Sequence, residues 1–153
     1  MDKSHKGRQR DEMKLFDSSA IINLCAEKKL DPLLEGFTLN LALYELGNAV
    51  WKQVCIHKTV TVEEANIVLD SLADVFGKMR KLKVERPLEI LKIAVEEKIT
   101  YYDASYLYTA IKNGLTLVTD DEKLYNVGKK RVKAVKSNEV LRCHMKERSL
   151  SSL

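Results

Sequence analysis

Two acidic residues stand side by side in LTLVTDDEKLY (115–125), and a third closes LFDSS (15–19). Each follows a short apolar run, so Asp17, Asp120 and Asp121 all come where a strand is expected to end. Neighbouring carboxylates repel, and two of them at such a point need a cation, a proton or a strong donor to be tolerated. One of Asp120 and Asp121 is accounted for by capping the helix that follows. Glu45 adds a fourth acid. In LALYELGNAV (41–50) its helical neighbours are Leu41, Ala42, Leu46 and Ala49, so its carboxylate leaves an apolar face. Asp103 falls three positions after Thr100, where it can complete a helix cap or turn toward the protein beside Leu107 and Ala110. Carboxylates gathered from distant parts of a chain are hard oxygen ligands suited to Mg²⁺ or Mn²⁺. Such ions polarise a phosphate, activate water and stabilise a leaving oxygen, which is the chemistry of phosphodiester cleavage.

The elements that would position these acids alternate between strand and helix. MKLFD (13–17) reads as a strand, and SSAIINLCAEKKL carries helical spacing with Ser18 or Ser19 placed to cap it. GFTLN (36–40) repeats the strand, and LALYELGNAVWKQVCIHK repeats the helix. Thr61 and Glu64 have the spacing of a capping box that opens a long amphipathic helix through TVEEANIVLDSLADVFGKMRKL. Pro87 suits the first turn of a further helix, and TYYDASYLYTAIKNG stops at Gly114. LTLV is a third strand, DEKLYNVGKK a short helix or turn, and VKAV a fourth strand. This order predicts an α/β domain, a three-layer α/β/α sandwich around a mainly parallel sheet. In such sheets ligands bind beyond the carboxyl ends of the strands, where these aspartates stand.

The chain of 153 residues fits one domain, expected over 13–141 between polar tails at 1–12 and 142–153. Met13 is a candidate start, since everything before it is polar. No stretch approaches the roughly 18 apolar residues of a membrane span. The leading residues lack the apolar centre of a secretory signal, so a cytoplasmic protein is expected. Cys25, Cys55 and Cys143 are odd in number and form no CxxC pair, which speaks against a disulfide framework or a zinc cluster. His5, His57 and His144 support no nucleophilic triad, and no phosphate-cradling GxxxxGK[ST] or GxGxxG loop is present. The net charge of +4 is uneven. Lys3, Lys6, Arg8 and Arg10 lie in the leading tail, and Lys129, Lys130, Arg131, Lys133 and Lys136 cluster late; such runs are solvated faces or phosphate contacts. The wealth of Lys and Glu with little Gln hints at a heat-adapted source.

LFDSSAII, LALYELGNAV and ITYYDASYLYTAIKNGLTLVTDDEKL, in this order and separation, resemble the PIN-domain family of metal-dependent ribonucleases, especially the compact VapC toxins of toxin–antitoxin pairs. The resemblance runs from Met13 to about Val140. It implies that the acidic site falls on Asp17, Glu45, Asp103 and Asp121, as both catalytic and metal-holding residues. Thr119 and Leu124 of the T-x-D-x-x-L ending fix Asp121 as the ligand and leave Asp120 at the variable place. Ser19 and Thr119 match small hydroxyl positions that bond within the site. The implied activity is an Mg²⁺- or Mn²⁺-dependent endoribonuclease leaving 5′-phosphate and 3′-hydroxyl ends. Its RNA would be gripped by basic residues such as Lys129, Lys130 and Arg131. A homodimer and a cognate antitoxin are the implied partners. A housekeeping RNA-processing nuclease and a non-catalytic RNA- or protein-binding module of the same fold are the alternatives.

Overall fold

A computed structural model describes residues 13–140 of the chain. The tails expected at 1–12 and 142–153, with their basic residues, His5, Cys143 and His144, and the expected domain end at 141, lie outside the described residues.

The core of the domain is a five-stranded sheet, all parallel, in the order β3-β2-β1-β4-β5. In chain order the elements are β1 (Lys14–Phe16), α1 (Ser18–Ala26), α2 (Asp31–Leu34), β2 (Phe37–Leu39), α3 (Leu41–Cys55), α4 (Val62–Lys78) and β3 (Arg80–Leu82). They continue as α5 (Pro87–Glu97), α6 (Tyr101–Asn113), β4 (Thr116–Val118), α7 (Glu122–Gly128) and β5 (Ala134–Val135).

Alternation along these short strands sends successive side chains to opposite faces and so separates two cores. Leu15, Leu39 and Leu117 meet Ile90, Ile93, Leu107 and Leu124 from α5, α6 and α7. Phe16 and Val118 point the other way, against Ala20, Ile21 and Leu24 of α1, Leu46 of α3 and Val75 and Phe76 of α4. Each fully buried side chain of this size stabilises the fold by about 1.5–3 kcal/mol. The result is the three-layer sandwich expected from the alternation of strand and helix.

Several local expectations hold. Thr61 and Glu64 form a reciprocal capping box at the start of α4. Gly114 ends α6 at φ +64°, a conformation that costs glycine little. Three elements depart from expectation, one being the short helix α2, which the sequence reading does not contain. The segment ending in MRKL is not the tail of α4, because the helix stops at Lys78 and Arg80–Leu82 pairs in parallel with β2. As an edge strand carrying Arg80 and Lys81 it resists further pairing, and the same charges hide it in the sequence. α1 is capped by Asp17 rather than by Ser18 or Ser19, and this bears directly on the site.

The chain lays down β1, β2 and β3 toward one edge, then returns to place β4 and β5 on the other side of β1. The reversal between β1 and β4 leaves a crevice beyond their carboxyl ends. Asp17 follows β1 and Asp121 follows β4, so both open onto it.

Candidate active site

Asp17 is held from three sides. Its backbone N–H donates to the Val118 carbonyl at 3.1 Å, continuing the β1–β4 ladder one residue past the strands. Its carboxylate caps α1 by accepting from the Ala20 N–H at 2.9 Å. The Ser19 hydroxyl donates to the same oxygen at 2.6 Å, and the Thr119 hydroxyl donates to the other. Burial nevertheless dominates. The residue is 4% exposed, and its carboxyl is pushed up from 3.8 to about 6 against the pull of those donors, with the charge of Asp103 adding to the rise.

Glu45 reaches the same region from the second turn of α3. It is half-buried, and burial lifts its carboxyl from 4.5 to about 7, with the charges of Asp17 and Asp103 adding to the rise. The Tyr106 hydroxyl, delivered by α6, donates to Glu45 Oε1 at 2.8 Å and opposes that rise. Asp103 stands in the first turn of α6, whose start is fixed by the Thr100 hydroxyl accepting from the Asp103 N–H at 3.1 Å. Its carboxyl is also raised, by burial and then by the charge of Asp121, while Thr100 and Lys123 pull it down. These four acids, up to 104 positions apart in sequence, thus share one repulsive field.

Asp120 and Asp121, adjacent in sequence, do different work. Asp121 is exposed, caps α7 through the Leu124 backbone N–H at 2.8 Å, and receives no side-chain donor among the described contacts. Asp120 faces away into a structural knot. Its two oxygens accept from Asn23 Nδ2 at 2.7 Å and from the Ser137 N–H at 2.9 Å, while its own N–H donates to the Ser19 hydroxyl at 2.9 Å. Ser19 and Thr119 link the two stretches, since Thr119 Oγ1 also accepts from the Asp121 N–H at 3.1 Å. Each hydroxyl therefore orients Asp17 and anchors one backbone amide of the Asp120–Asp121 turn.

Three residues of the late basic cluster lie elsewhere, while Lys136, just past the carboxyl end of β5, pairs with Glu122 beside Asp121. Lys129, Lys130 and Arg131 follow the C-terminal end of α7 and lead into the start of β5, at the sheet edge opposite the carboxylates. Arg131 is engaged by Glu97, with Nε and Nη2 donating to the same oxygen at 3.0 and 2.8 Å. Lys123, in the first turn of α7, is the cation felt by Asp103. Neither Lys123 nor Tyr106 stands out in the sequence, the first because it is one exposed lysine among many, the second because its helical phase marks it as core.

Among the described residues no three Asp, Glu, His or Cys side chains are arranged to hold an ion by themselves. An ion held here would take one or two of these carboxylates, with waters or substrate phosphates completing its shell, as hard divalent cations commonly do. Three carboxyls raised by burial and mutual repulsion are the complement of a divalent cation.

The fold and the site together describe a parallel α/β sandwich with acids beyond the strand ends where the strand order reverses. The family model described as PIN domain matches residues 14–130. The chain belongs to the PIN domain family. It is similar to Exonuclease VapC9 of Pyrobaculum aerophilum, with 38% identity over 113 residues, covering 72% of this chain and 81% of that protein. It is also similar to Ribonuclease VapC3 of the same organism, 35% identical over 103 residues, 65% of this chain and 76% of that protein. The crystal structure of PAE2754 from Pyrobaculum aerophilum superposes with a TM-score of 0.73 at 33% identity, covering 84% of this chain and 93% of that one. The structure of FitAB bound to an IR36 DNA fragment matches at 16% identity and a TM-score of 0.57, over 82% of this chain and 95% of that one, a likeness of fold.

Proposed function

We propose that the protein is a divalent-metal-dependent endoribonuclease in which Asp17, Glu45, Asp103 and Asp121 form the catalytic site. The observation that carries this is the shared field of these acids at the β1–β4 crevice, with burial and repulsion lifting three of them. Membership in the PIN domain family and the similarity to VapC9 and VapC3 support the same reading. When bound, Mg²⁺ or Mn²⁺ would supply phosphate polarisation and water activation.

The chain's own residues prepare that chemistry. Asp17 is fixed by Ser19, Thr119 and the Ala20 amide, which leaves one lone-pair site with a set direction. Tyr106 holds Glu45 and favours its ionised form near neutral pH. Asp121 stays exposed at the outer lip, and Lys123 beside it offers a charge for the RNA backbone. Lys129, Lys130 and Arg131 remain candidate contacts only for RNA long enough to pass α7 to the opposite sheet edge. A VapC-like role adds a homodimer and a small antitoxin covering the acidic crevice.

The test is cleavage of a mixed RNA pool with Mn²⁺, with Mg²⁺ and with chelator, beside Asp17→Asn. Metal-dependent cutting lost in the variant supports the reading, and cutting that persists in chelator opposes it. The name Exonuclease VapC9 favours a second reading, removal of nucleotides from an end. Internally labelled and circular RNA separate the two, because a circle is cut only by an endonuclease.

A further inference from the structure

Beside the acids an open groove of about 680 Å³ runs between α1, α3 and the first turn of α6. Its size suits a small ligand or one to two nucleotides. Two rows of α3 face it at helical spacing, Leu41–Glu45–Ala49 and Tyr44–Asn48–Lys52. The first row makes an apolar wall interrupted by Glu45, so the groove and the acidic site share a residue. The second carries an aromatic ring, an amide and a cation in line.

Tyr44 is 80% exposed and Tyr102, from α6, is 62% exposed, so two rings from different helices line one groove with most of their surface in water. Large exposed aromatics at a concave site mark a surface meant to be covered. Their proximity to Glu45 decides what covers it. A phosphodiester placed at the carboxylates must send a neighbouring nucleotide along α3 or away from it, and along α3 it meets Tyr44, then Asn48, then Lys52. Lys52 is seven residues beyond Glu45, about 10 Å along the helix, where it would meet a phosphate other than the scissile one. Asn48 offers both a donor and an acceptor, the pair that reads a base edge.

Resting on the nuclease reading above, we infer that this groove is the nucleobase subsite of the enzyme: Tyr44 and Tyr102 stack the base beside the cleaved bond of single-stranded RNA, Asn48 contacts its edge and Lys52 holds the next phosphate. Stacking on tyrosine tolerates every base, so the groove favours unpaired RNA and leaves sequence preference to Asn48.

The test first maps the bond cut by the full-length chain. A short RNA with 2-aminopurine beside that bond is then titrated with Asp17→Asn protein in Mg²⁺, and cleavage is followed in the otherwise wild-type chain. Tyr44→Ala and Tyr102→Ala, both at exposed positions, should each weaken binding about tenfold, raise KM accordingly and relieve the quenching of 2-aminopurine. Tyr44→Phe and Tyr102→Phe should restore all three. Lys52→Gln should weaken binding of every sequence alike and lower the salt slope by about one. If the alanine variants cut RNA with wild-type KM, the subsite is overturned and the nuclease stands. If the wild-type chain neither binds nor cuts RNA, both fall. Loss of a partner protein's binding in Tyr44→Ala with RNA handling unchanged would assign the groove to protein and overturn the inference.

Discussion

Removing the charge of Asp17 should make the metal-free protein more stable at neutral pH while destroying its activity. In the folded chain this carboxyl is pushed up from 3.8 to about 6 by burial. Below pH 4 both folded and unfolded chains hold the proton, and the group costs nothing. Between pH 4 and 6 the folded chain keeps a proton that the unfolded chain has lost, so stability falls as pH rises. Each pH unit is worth about 1.4 kcal/mol, which brings the loss to about 3 kcal/mol above pH 6. Asparagine does not titrate, and it keeps the shape and the oxygen that accepts from Ala20. The Ser19 hydroxyl can go on donating to that same oxygen, and the freely rotating Thr119 hydroxyl, on the other side, can turn to accept from the amide. Urea unfolding in EDTA from pH 4 to 8 should therefore show Asp17→Asn gaining on wild type, by about 3 kcal/mol across the range. Titrating groups away from the site cancel in that difference, Glu45, relieved of the Asp17 charge, adds to it, and saturating Mn²⁺ should shrink it by favouring the charged wild-type site. A flat difference, or a wild type that gains on the variant as pH rises, would refute the reasoning that Asp17 is held at an electrostatic cost.

Tyr106→Phe removes the donor to Glu45, so its carboxyl should rise further above about 7. The acidic limb of the cleavage profile should then move to higher pH by up to about one unit, and an unmoved limb would detach Glu45 from catalysis. Asp120→Ala strips acceptors from Asn23 and from the buried Ser137 N–H and should cost about 1–3 kcal/mol in urea unfolding. Asp120→Asn keeps an acceptor for Ser137 and should be nearly neutral. Gly36→Ala would place a methyl 2.3 Å from Phe16 Cε2, against a fully buried ring one residue from Asp17. It should cost about 1–3 kcal/mol and lower activity, and a fully stable variant would show that β1 has room to shift.

Four of the five strands and most helices were legible because their signals are local. Asp17 after LF, the capping box at Thr61 and the stop at Gly114 each rest on a few adjacent residues. β3 was not legible, since Arg80 and Lys81 protect an edge while blurring its alternation into the preceding helix. The four acids could be named, but their coupling could not, because it depends on strand order. β4 comes to lie beside β1 only after β2 and β3 have been laid on the other side. The Tyr106–Glu45 bond spans 61 positions and joins two helices, beyond any local pattern. The same holds for Asp120, whose acidic company with Asp121 is resolved by Asn23 and Ser137 pulling it away from the crevice.

That division between neighbouring aspartates gives the most direct test. Calorimetric titration of Mn²⁺ into the wild-type chain, Asp121→Asn and Asp120→Asn, each paired with an RNA cleavage assay, sets site against scaffold. Asp121→Asn should weaken Mn²⁺ binding and lose cleavage together, with the fold intact by circular dichroism, while Asp120→Asn keeps both. Loss in Asp120→Asn with Asp121→Asn fully active would contradict the assignment of the four-carboxylate site.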